Sequence, residues 1–193
     1  VIPRYLAIEK VLEHVRPADL VLSTTGMISR EVFVTGDRTG NFYMLGSMGL
    51  LSSFGLGLAL LAPEQRVFVL EGDGSALMSL GTVPLIGAEG PRNLTHIILD
   101  NEAYESTGGQ PSISSGFDLT RVAEGAGYRT VVRADDVEGL RSALLECARG
   151  PGPHFILVKA GIAPVKGIPR VSHSPTDIRD RFKSSVHGGI ERC

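Results

Sequence analysis

Tryptophan is absent, cysteine occurs only at positions 147 and 193, and neither charge dominates: 19 Lys and Arg stand against 21 Asp and Glu. Two cysteines, one of them the last residue, make neither a disulfide framework nor a metal knuckle, so a reducing cytosol is the expected compartment. A formal net charge of −2 leaves no electrostatic footprint for nucleic acid. No basic, apolar, small-residue leader is expected, since Arg4, Glu9 and Lys10 interrupt the first turns. No internal repeat or low-complexity tract is found, which excludes solenoids and arrays.

Charge is missing altogether from residues 39–63, a stretch long enough to cross a bilayer. Gly46-Ser47-Met48-Gly49 and Ser52-Ser53 interrupt it, however, and residues 50–62 have the length of one buried core helix. No membrane partner is expected. With 42% hydrophobic residues in a chain of 193, one domain with a full core is the natural size. Gly55-Leu56-Gly57-Leu58-Ala59 lacks the preceding strand of a dinucleotide fingerprint and fails that context test, so its small residues read as close helix-to-sheet packing.

The stretch Leu70-Glu71-Gly72-Asp73-Gly74-Ser75 organises the rest. Residues 67–70 are apolar and β-branched, end in Gly-Asp-Gly and lead into Ala76-Leu77-Met78, which reads as strand, tight turn, helix. Glycine lets a backbone approach a phosphate closely, and a helix start offers free N–H groups to an anion. Asp73 would repel a bare diphosphate unless a divalent cation lies between them. Residues 94–99 form a second apolar strand, with Asp100-Asn101 at its C-terminal end, where open α/β sheets bind ligands. The Asp73 carboxylate, the Asn101 amide oxygen and a backbone carbonyl near Ala103 are hard oxygen donors. Two phosphate oxygens and a water would complete the near-octahedral set that Mg²⁺ prefers. Taken alone, each motif reads equally as a turn or a strand end.

Elsewhere the pattern alternates. Residues 3–15 read as an amphipathic helix with Pro3 in its first turn, 20–23 as a strand, and Ser23-Thr24-Thr25-Gly26 as a polar loop before a helix that runs to about Phe33. Residues 41–45 are briefly extended. The helix after Ser75 is expected to reach about Ala88 with a kink at Pro84, which would lose the bond to the Leu80 carbonyl. Residues 101–116 are a loop too long for a plain connector, expected to close over a substrate. Helix, strand, helix and strand follow at 118–127, 129–132, 135–148 and 154–159. The fold class is therefore α/β, a doubly wound, mostly parallel sheet with helices on both faces. Residues 161–193 change character, with Pro164, Pro169 and Pro175 and a polar helix at 174–186. They form a C-terminal extension of the same domain, either a docking arm or a solvated terminus. His14, His96, His154 and His187 read as structural, and His173 would approach an anionic substrate only if the tail folds over the site.

Gly72-Asp73-Gly74, followed by 26 residues and then Asn101, resembles the diphosphate and metal motif of thiamine diphosphate enzymes. Gly46-Ser47-Met48-Gly49 resembles their cofactor-bending loop. Residues 100–110, Asp-Asn-Glu-Ala-Tyr-Glu-Ser-Thr-Gly-Gly-Gln, are similar to the phosphonopyruvate and sulfopyruvate decarboxylases. The resemblance implies thiamine diphosphate and Mg as cofactors, with residues 1–160 as the binding domain and Asp73, Asn101 and Ala103 as metal ligands. It implicates Thr25, Gly26, Met27, Gly46, Ser47, Met48, Gly72, Gly74, Ser75 and Tyr104 in holding the cofactor. The Gly46 carbonyl would accept a bond from its 4′-amino group. Met48 would wedge between its rings, although by itself Met48 reads as ordinary core packing. Glu105, Ser106, Thr107, Gly108, Gly109 and Gln110 would form a substrate loop for a short anionic 2-oxo acid, 3-phosphonopyruvate or 3-sulfopyruvate. The activity implied is a carboxy-lyase. Alternatives are a non-catalytic phosphate- or nucleotide-binding module and an acetolactate synthase-like carboligase.

Such enzymes also need a glutamate facing N1′ of the aminopyrimidine, carried by a pyrimidine-binding domain of about 150 residues. Nothing in this sequence resembles that domain. A partner (alpha) subunit supplying the glutamate is therefore expected, in a hetero-oligomer such as α₂β₂.

Overall fold

The computed structural model describes residues 1–162 and 167–190, with side chains as far as Val186. In chain order the elements are β1 (Ile2–Pro3), α1 (Arg4–Leu12), β2 (Leu20–Ser23), α2 (Met27–Gly36), β3 (Asn41–Tyr43), α3 (Leu51–Leu61), β4 (Val67–Gly72) and α4 (Asp73–Met78). These are followed by α5 (Thr82–Glu89), β5 (Leu94–Asp100), β6 (Ala103–Tyr104), β7 (Gln110–Pro111), α6 (Leu119–Ala126), β8 (Thr130–Ala134), α7 (Val137–Cys147), β9 (His154–Gly161) and α8 (Pro175–Ile190). The sheet runs β3, β2, β4, β5, β9, and every pairing in it is parallel. Both β8 and, farther along, β1 pair with the outer side of β9.

The inner strands are continuous apolar runs because both faces are covered, as parallel sheets require. Leu20, Leu22, Leu70, Leu94, Ile97 and Ile98 are fully buried, each worth about 1.5–3 kcal/mol of transfer free energy. Ile8, Val21, Leu70, Ile97 and Ile156 build the core on one face, with α1 and α7 packed over it. Leu22, Leu56, Val69, Ile98 and Phe155 build the other, under α3, α5 and α6. A Cβ on Gly55 would collide with Val69, so the small residue does serve close helix-to-sheet packing. Asp118 and Asp136 cap α6 and α7 by accepting from the Thr120 and Gly139 amides.

Two expectations are corrected. The helix after Gly72 starts at Asp73 and stops at Met78, and a new one begins at Thr82. The break lies at residues 79–81, ahead of Pro84, which sits in the first turn of α5 where a missing N–H is harmless. The Leu80 carbonyl is not orphaned, since it accepts from Val83 N at 3.1 Å. The second correction is β1, which comes before α1 and had no counterpart in the pattern. Two residues are too few to show a period.

In the tail, α8 returns to the edge strand β3 and buries Ile178, Phe182 and Val186. Phe182 lies 5.3 Å from Phe42, centroid to centroid. Pro164, Cys193 and the His187 side chain lie outside the described residues. Within those residues, no helix is long and apolar enough to cross a membrane.

Candidate cofactor site

Chain order reverses between β2 and β4: β3 lies on one side of β2, whereas β4, β5 and β9 extend to the other. Ligands of open α/β sheets bind at the carboxyl ends of the strands beside such a reversal. The loops after β2, β4 and β5 all end there, around a cavity of about 90 Å³. Of the residues singled out in the sequence, Thr25, Gly26, Met27, Met48, Gly72, Asp73, Gly74, Ser75, Asn101, Ala103, Tyr104, Glu105, Ser106 and Thr107 line it. Gly46 and Ser47 do not, and neither do Gly108, Gly109 and Gln110. Ser47 instead lines an open apolar groove with Phe42, Met44, Leu50 and Phe54.

Each loop is held by its own backbone chemistry. After β2 the Thr24 amide donates to the Leu70 carbonyl at 3.0 Å, and the Thr24 carbonyl accepts from Ser29 Oγ at 2.6 Å. Gly26 then takes φ = 91°, a value costly for residues with a Cβ, and α2 begins at Met27. In the Gly46 to Gly49 loop, Ser47 itself has φ = 54°, a conformation non-glycine residues adopt only under constraint. The constraint is visible: the Gly49 amide donates to Ser75 Oγ at 3.0 Å. Met48 is 37% exposed and faces the cavity, so ordinary core packing does not describe it.

The Asp73 carboxylate is almost fully buried at the start of α4. Its Oδ2 accepts from Ser112 Oγ and from Ser114 Oγ, the latter at 3.0 Å. Ser114 Oγ also lies 2.8 Å from Asp100 Oδ1, so one hydroxyl stands between two buried carboxylates. Burial pushes the Asp73 carboxyl up from its ordinary value, against the Ser112 bond, and the charge of Asp100 adds to the rise. Lys159 Nζ binds Asp100 Oδ2 at 2.7 Å and Glu102 Oε1 at 2.5 Å. Those bonds hold its pKa above the ordinary value, although burial opposes them.

On the facing loop, Asn101 Oδ1 accepts from the Ala103 amide at 3.1 Å, and Glu102 is held at φ = 58°. The Tyr104 ring fills the space a Cβ on Gly74 would need. Here the glycine serves an aromatic contact as well as the backbone approach expected for a phosphate. Residues 101–116 are also more ordered than a plain loop: β6 and β7 form a two-stranded antiparallel hairpin, with 3₁₀ turns at Glu105–Thr107 and Ile113–Gly116.

The residues that sequence reasoning missed are polar and remote from the motifs. Arg4 is 3% exposed, lines the cavity, and grips Glu31 through two bonds of 2.8 Å. Its guanidinium also contacts Glu105 of the facing loop. Burial disfavours the charge on Arg4, but the bonds to Glu31 and Glu105 outweigh it and raise its pKa. Beneath the site, Ser75 Oγ donates to Glu71 Oε1 at 2.6 Å, Glu71 Oε2 meets His96 Nε2 at 3.1 Å, and His96 Nδ1 meets the Tyr128 hydroxyl at 3.3 Å. His96 is buried within this run of contacts. His173 contacts Asp37 and Phe33 and is not among the residues lining the cavity.

The donor set fits a magnesium diphosphate group. Asp73, Asn101 and Ala103 bring only oxygen ligands to one cavity, where burial of the Asp73 carboxyl would be relieved by a cation. A groove of 90 Å³ is small beside the 300 Å³ and more typical of organic-ligand pockets. Tyr104, Glu105 and Met48 all contribute to its lining.

Comparison with known proteins agrees with this geometry. Residues 25–158 match the model for the thiamine pyrophosphate enzyme C-terminal TPP-binding domain. The chain is 42% identical to a phosphonopyruvate decarboxylase of Streptomyces hygroscopicus over 93% of its own length, but spans only 45% of that protein. It is 40% identical to the sulfopyruvate decarboxylase subunit beta of Methanothermobacter thermautotrophicus, with 97% of each chain covered. A thiamine diphosphate-dependent 4-hydroxybenzoylformate decarboxylase of Rhodococcus jostii RHA1 shares the fold, with a TM-score of 0.73 at 18% identity over 83% of this chain and 33% of that one. The chain therefore belongs to the family of C-terminal TPP-binding domains of thiamine pyrophosphate enzymes, with phosphonopyruvate and sulfopyruvate decarboxylases among its relatives.

Proposed function

We propose that the chain is the diphosphate-binding subunit of a thiamine diphosphate- and Mg-dependent decarboxylase acting on a short anionic 2-oxo acid, 3-phosphonopyruvate or 3-sulfopyruvate. The observation that carries this reading is the convergence of Asp73, Asn101, Ala103, Met48 and the Thr25 to Met27 loop on one cavity. Bound there, the cofactor would supply an electron sink for the bond to the departing carboxylate. The chain's own residues do the holding. Asp73, Asn101 and the Ala103 carbonyl would ligate Mg²⁺, Gly72, Gly74 and Ser75 would border the diphosphate, and Met48 would act as the wedge that keeps the cofactor bent.

Selectivity for an anionic tail needs a cation, and Arg4 is the guanidinium on the cavity wall. Its second carboxylate, Glu105, belongs to the proposed substrate loop 105–110, whose Ser106 and Thr107 hydroxyls also line the cavity. Glu31 holds the Arg4 Nε and Nη2 and Glu105 meets its Nη1, so a phosphonate or sulfonate head would have to take the place of Glu105.

The activating glutamate would come from a partner subunit docked on the open side of the cavity, in an assembly such as α₂β₂. Leu45, Met48 and Leu50 are 53%, 37% and 56% exposed beside the groove of Phe42, Met44 and Phe54, which supports a partner on that face. The buried free thiol of Cys147 is consistent with a cytosolic setting.

The test is a thiamine diphosphate titration with and without Mg²⁺, against ATP and NAD as controls. It should be followed by kcat/KM for 3-phosphonopyruvate, 3-sulfopyruvate and pyruvate with the partner subunit present. Saturable Mg-dependent binding and preference for an anionic tail are expected. Preference for pyruvate would remove the substrate assignment, and robust turnover by the chain alone would remove the partner.

A further inference from the structure

A second cavity, of about 260 Å³, lies at the opposite end of the sheet, under the amino ends of β2, β4, β5 and β9. Arg16, Arg66, Arg92, His14 and His154 line it, and no carboxylate does so among the described residues. Arg66 is already engaged, donating through Nε to Asp19 at 3.0 Å and through Nη2 to the His14 carbonyl at 3.1 Å. The side chains of Arg16 and Arg92 are exposed and form no hydrogen bond or ion pair within the described residues. They are two uncompensated guanidiniums at the mouth of one depression.

His154 belongs to the same wall. It is 5% exposed, its Nε2 pairs with the Gly150 carbonyl at 3.2 Å, and its Nδ1 is shut off from solvent with no hydrogen-bond partner. A carbonyl only accepts, so Nε2 must carry the proton and Nδ1 is the unsatisfied atom. Buried polar atoms are nearly always paired, and this exception lies behind the cavity wall, out of reach of solvent. His14 also spends Nδ1 on a carbonyl, that of Lys10 at 3.0 Å, which leaves Nε2 unengaged. The apolar part of the wall comes from Phe68 and Leu144.

We propose that this cavity is a second binding site, for a small organic anion bearing a tetrahedral phosphate-like head, separate from the cofactor site. Fork-shaped guanidiniums at the mouth match such a head, and the apolar wall would take a short carbon chain. An organic ester and free phosphate share the same head chemistry, so the experiment has to separate them.

The probes are inorganic phosphate and glycerol 3-phosphate, titrated by calorimetry and by NMR of the histidine side chains into the full chain in chloride buffer. One saturable site is expected, with the ester bound more tightly and the His154 resonances shifting on binding. Arg16→Gln/Arg92→Gln should weaken it at least tenfold. Both side chains are exposed, so the variant should fold, and Arg16→Lys/Arg92→Lys should restore part of the affinity. Asp73→Asn, in the other site, should leave the affinity unchanged. Non-saturating titrations, equal affinity in the double Gln variant, or loss of binding in Asp73→Asn would overturn the site. Ester binding no tighter than phosphate would overturn the organic occupant.

Discussion

The Gly49 amide donates to Ser75 Oγ at 3.0 Å, and this single bond ties the loop carrying Met48 to the first turn of α4. Ser75 in turn donates to the buried Glu71, so the position of a surface loop is referred to a fixed point in the core. Met48 and Asp73, the proposed wedge and the proposed metal ligand, are thereby held in register.

Removing that hydroxyl should loosen the loop and leave Glu71 short of a partner. Ser75→Ala is expected to lower stability by about 1–3 kcal/mol, the penalty for an unsatisfied buried group. In a chain of this size each kcal/mol moves Tm by roughly 2–4 °C. Thermal melts check the first effect and thiamine diphosphate affinity the second, which should fall as well. An unchanged affinity would show that Ser75 does not position the loop.

Asp73→Ala separates cofactor binding from folding. The carboxylate is buried and its charge is disfavoured there, so losing it should leave the melting temperature nearly unchanged or slightly higher without cofactor. Mg-dependent binding of thiamine diphosphate should be abolished, since the Mg²⁺ that would neutralise the diphosphate loses its proposed carboxylate ligand. A folded Asp73→Ala protein with wild-type affinity would remove Asp73 from the metal site.

Arg4 should behave asymmetrically toward its two carboxylates. Glu31 is fully buried, and Arg4→Ala would strand it, at a cost of about 3–5 kcal/mol. Glu105 is 15% exposed, and Glu105→Gln should cost less because water can reach the site once the loop relaxes. Denaturant titrations of both variants test the order. Equal losses would mean that Arg4 serves the loop as much as the core.

These residues show how legibility divides. The strands β2, β4, β5 and β9 are readable because parallel strands covered on both faces are unbroken apolar runs, and Gly-Asp-Gly and Asp-Asn stand at their ends. Residues 50–62 were readable as a helix by their missing charge. Arg4 was not, since its partners lie 27 and 101 positions away and one arginine in an amphipathic helix looks solvated. Ser112 and Ser114 were hidden for a similar reason: in a polar loop, nothing local marks the two hydroxyls that reach Asp73. The break at residues 79–81 was masked by Pro84, a stronger breaker that turned out to sit in a harmless first turn.

Burial pushes the Cys147 thiol up to about 12, with a smaller push from Glu146. Because the folded value lies above the ordinary one, its contribution to stability is complete below the ordinary thiol pKa and is lost as pH rises toward 12. At pH 8 the thiolate fraction is on the order of 10⁻⁴. In a Cys193→Ser protein, a disulfide reagent such as dithionitrobenzoate should therefore label Cys147 only as fast as the fold opens, and denaturant should accelerate it. Prompt labelling in native buffer would contradict the burial of α7 against the sheet.

The contact between Gly74 and Tyr104 gives the sharpest test of how the hairpin closes the cofactor site. A methyl group on Gly74 would enter the Tyr104 ring, so Gly74→Ala must either displace the ring or shift α4. Overpacking of this kind costs about 1–3 kcal/mol. Ring displacement would reach Asn101 through the short turn that joins it to Ala103 and Tyr104, and should weaken Mg-dependent cofactor binding as well. Tyr104→Ala makes room, so in the double variant much of the stability should return, a coupling that a thermodynamic cycle reads directly. If the two substitutions add without coupling, the ring is not what limits the space at Gly74, and the hairpin is held by other contacts.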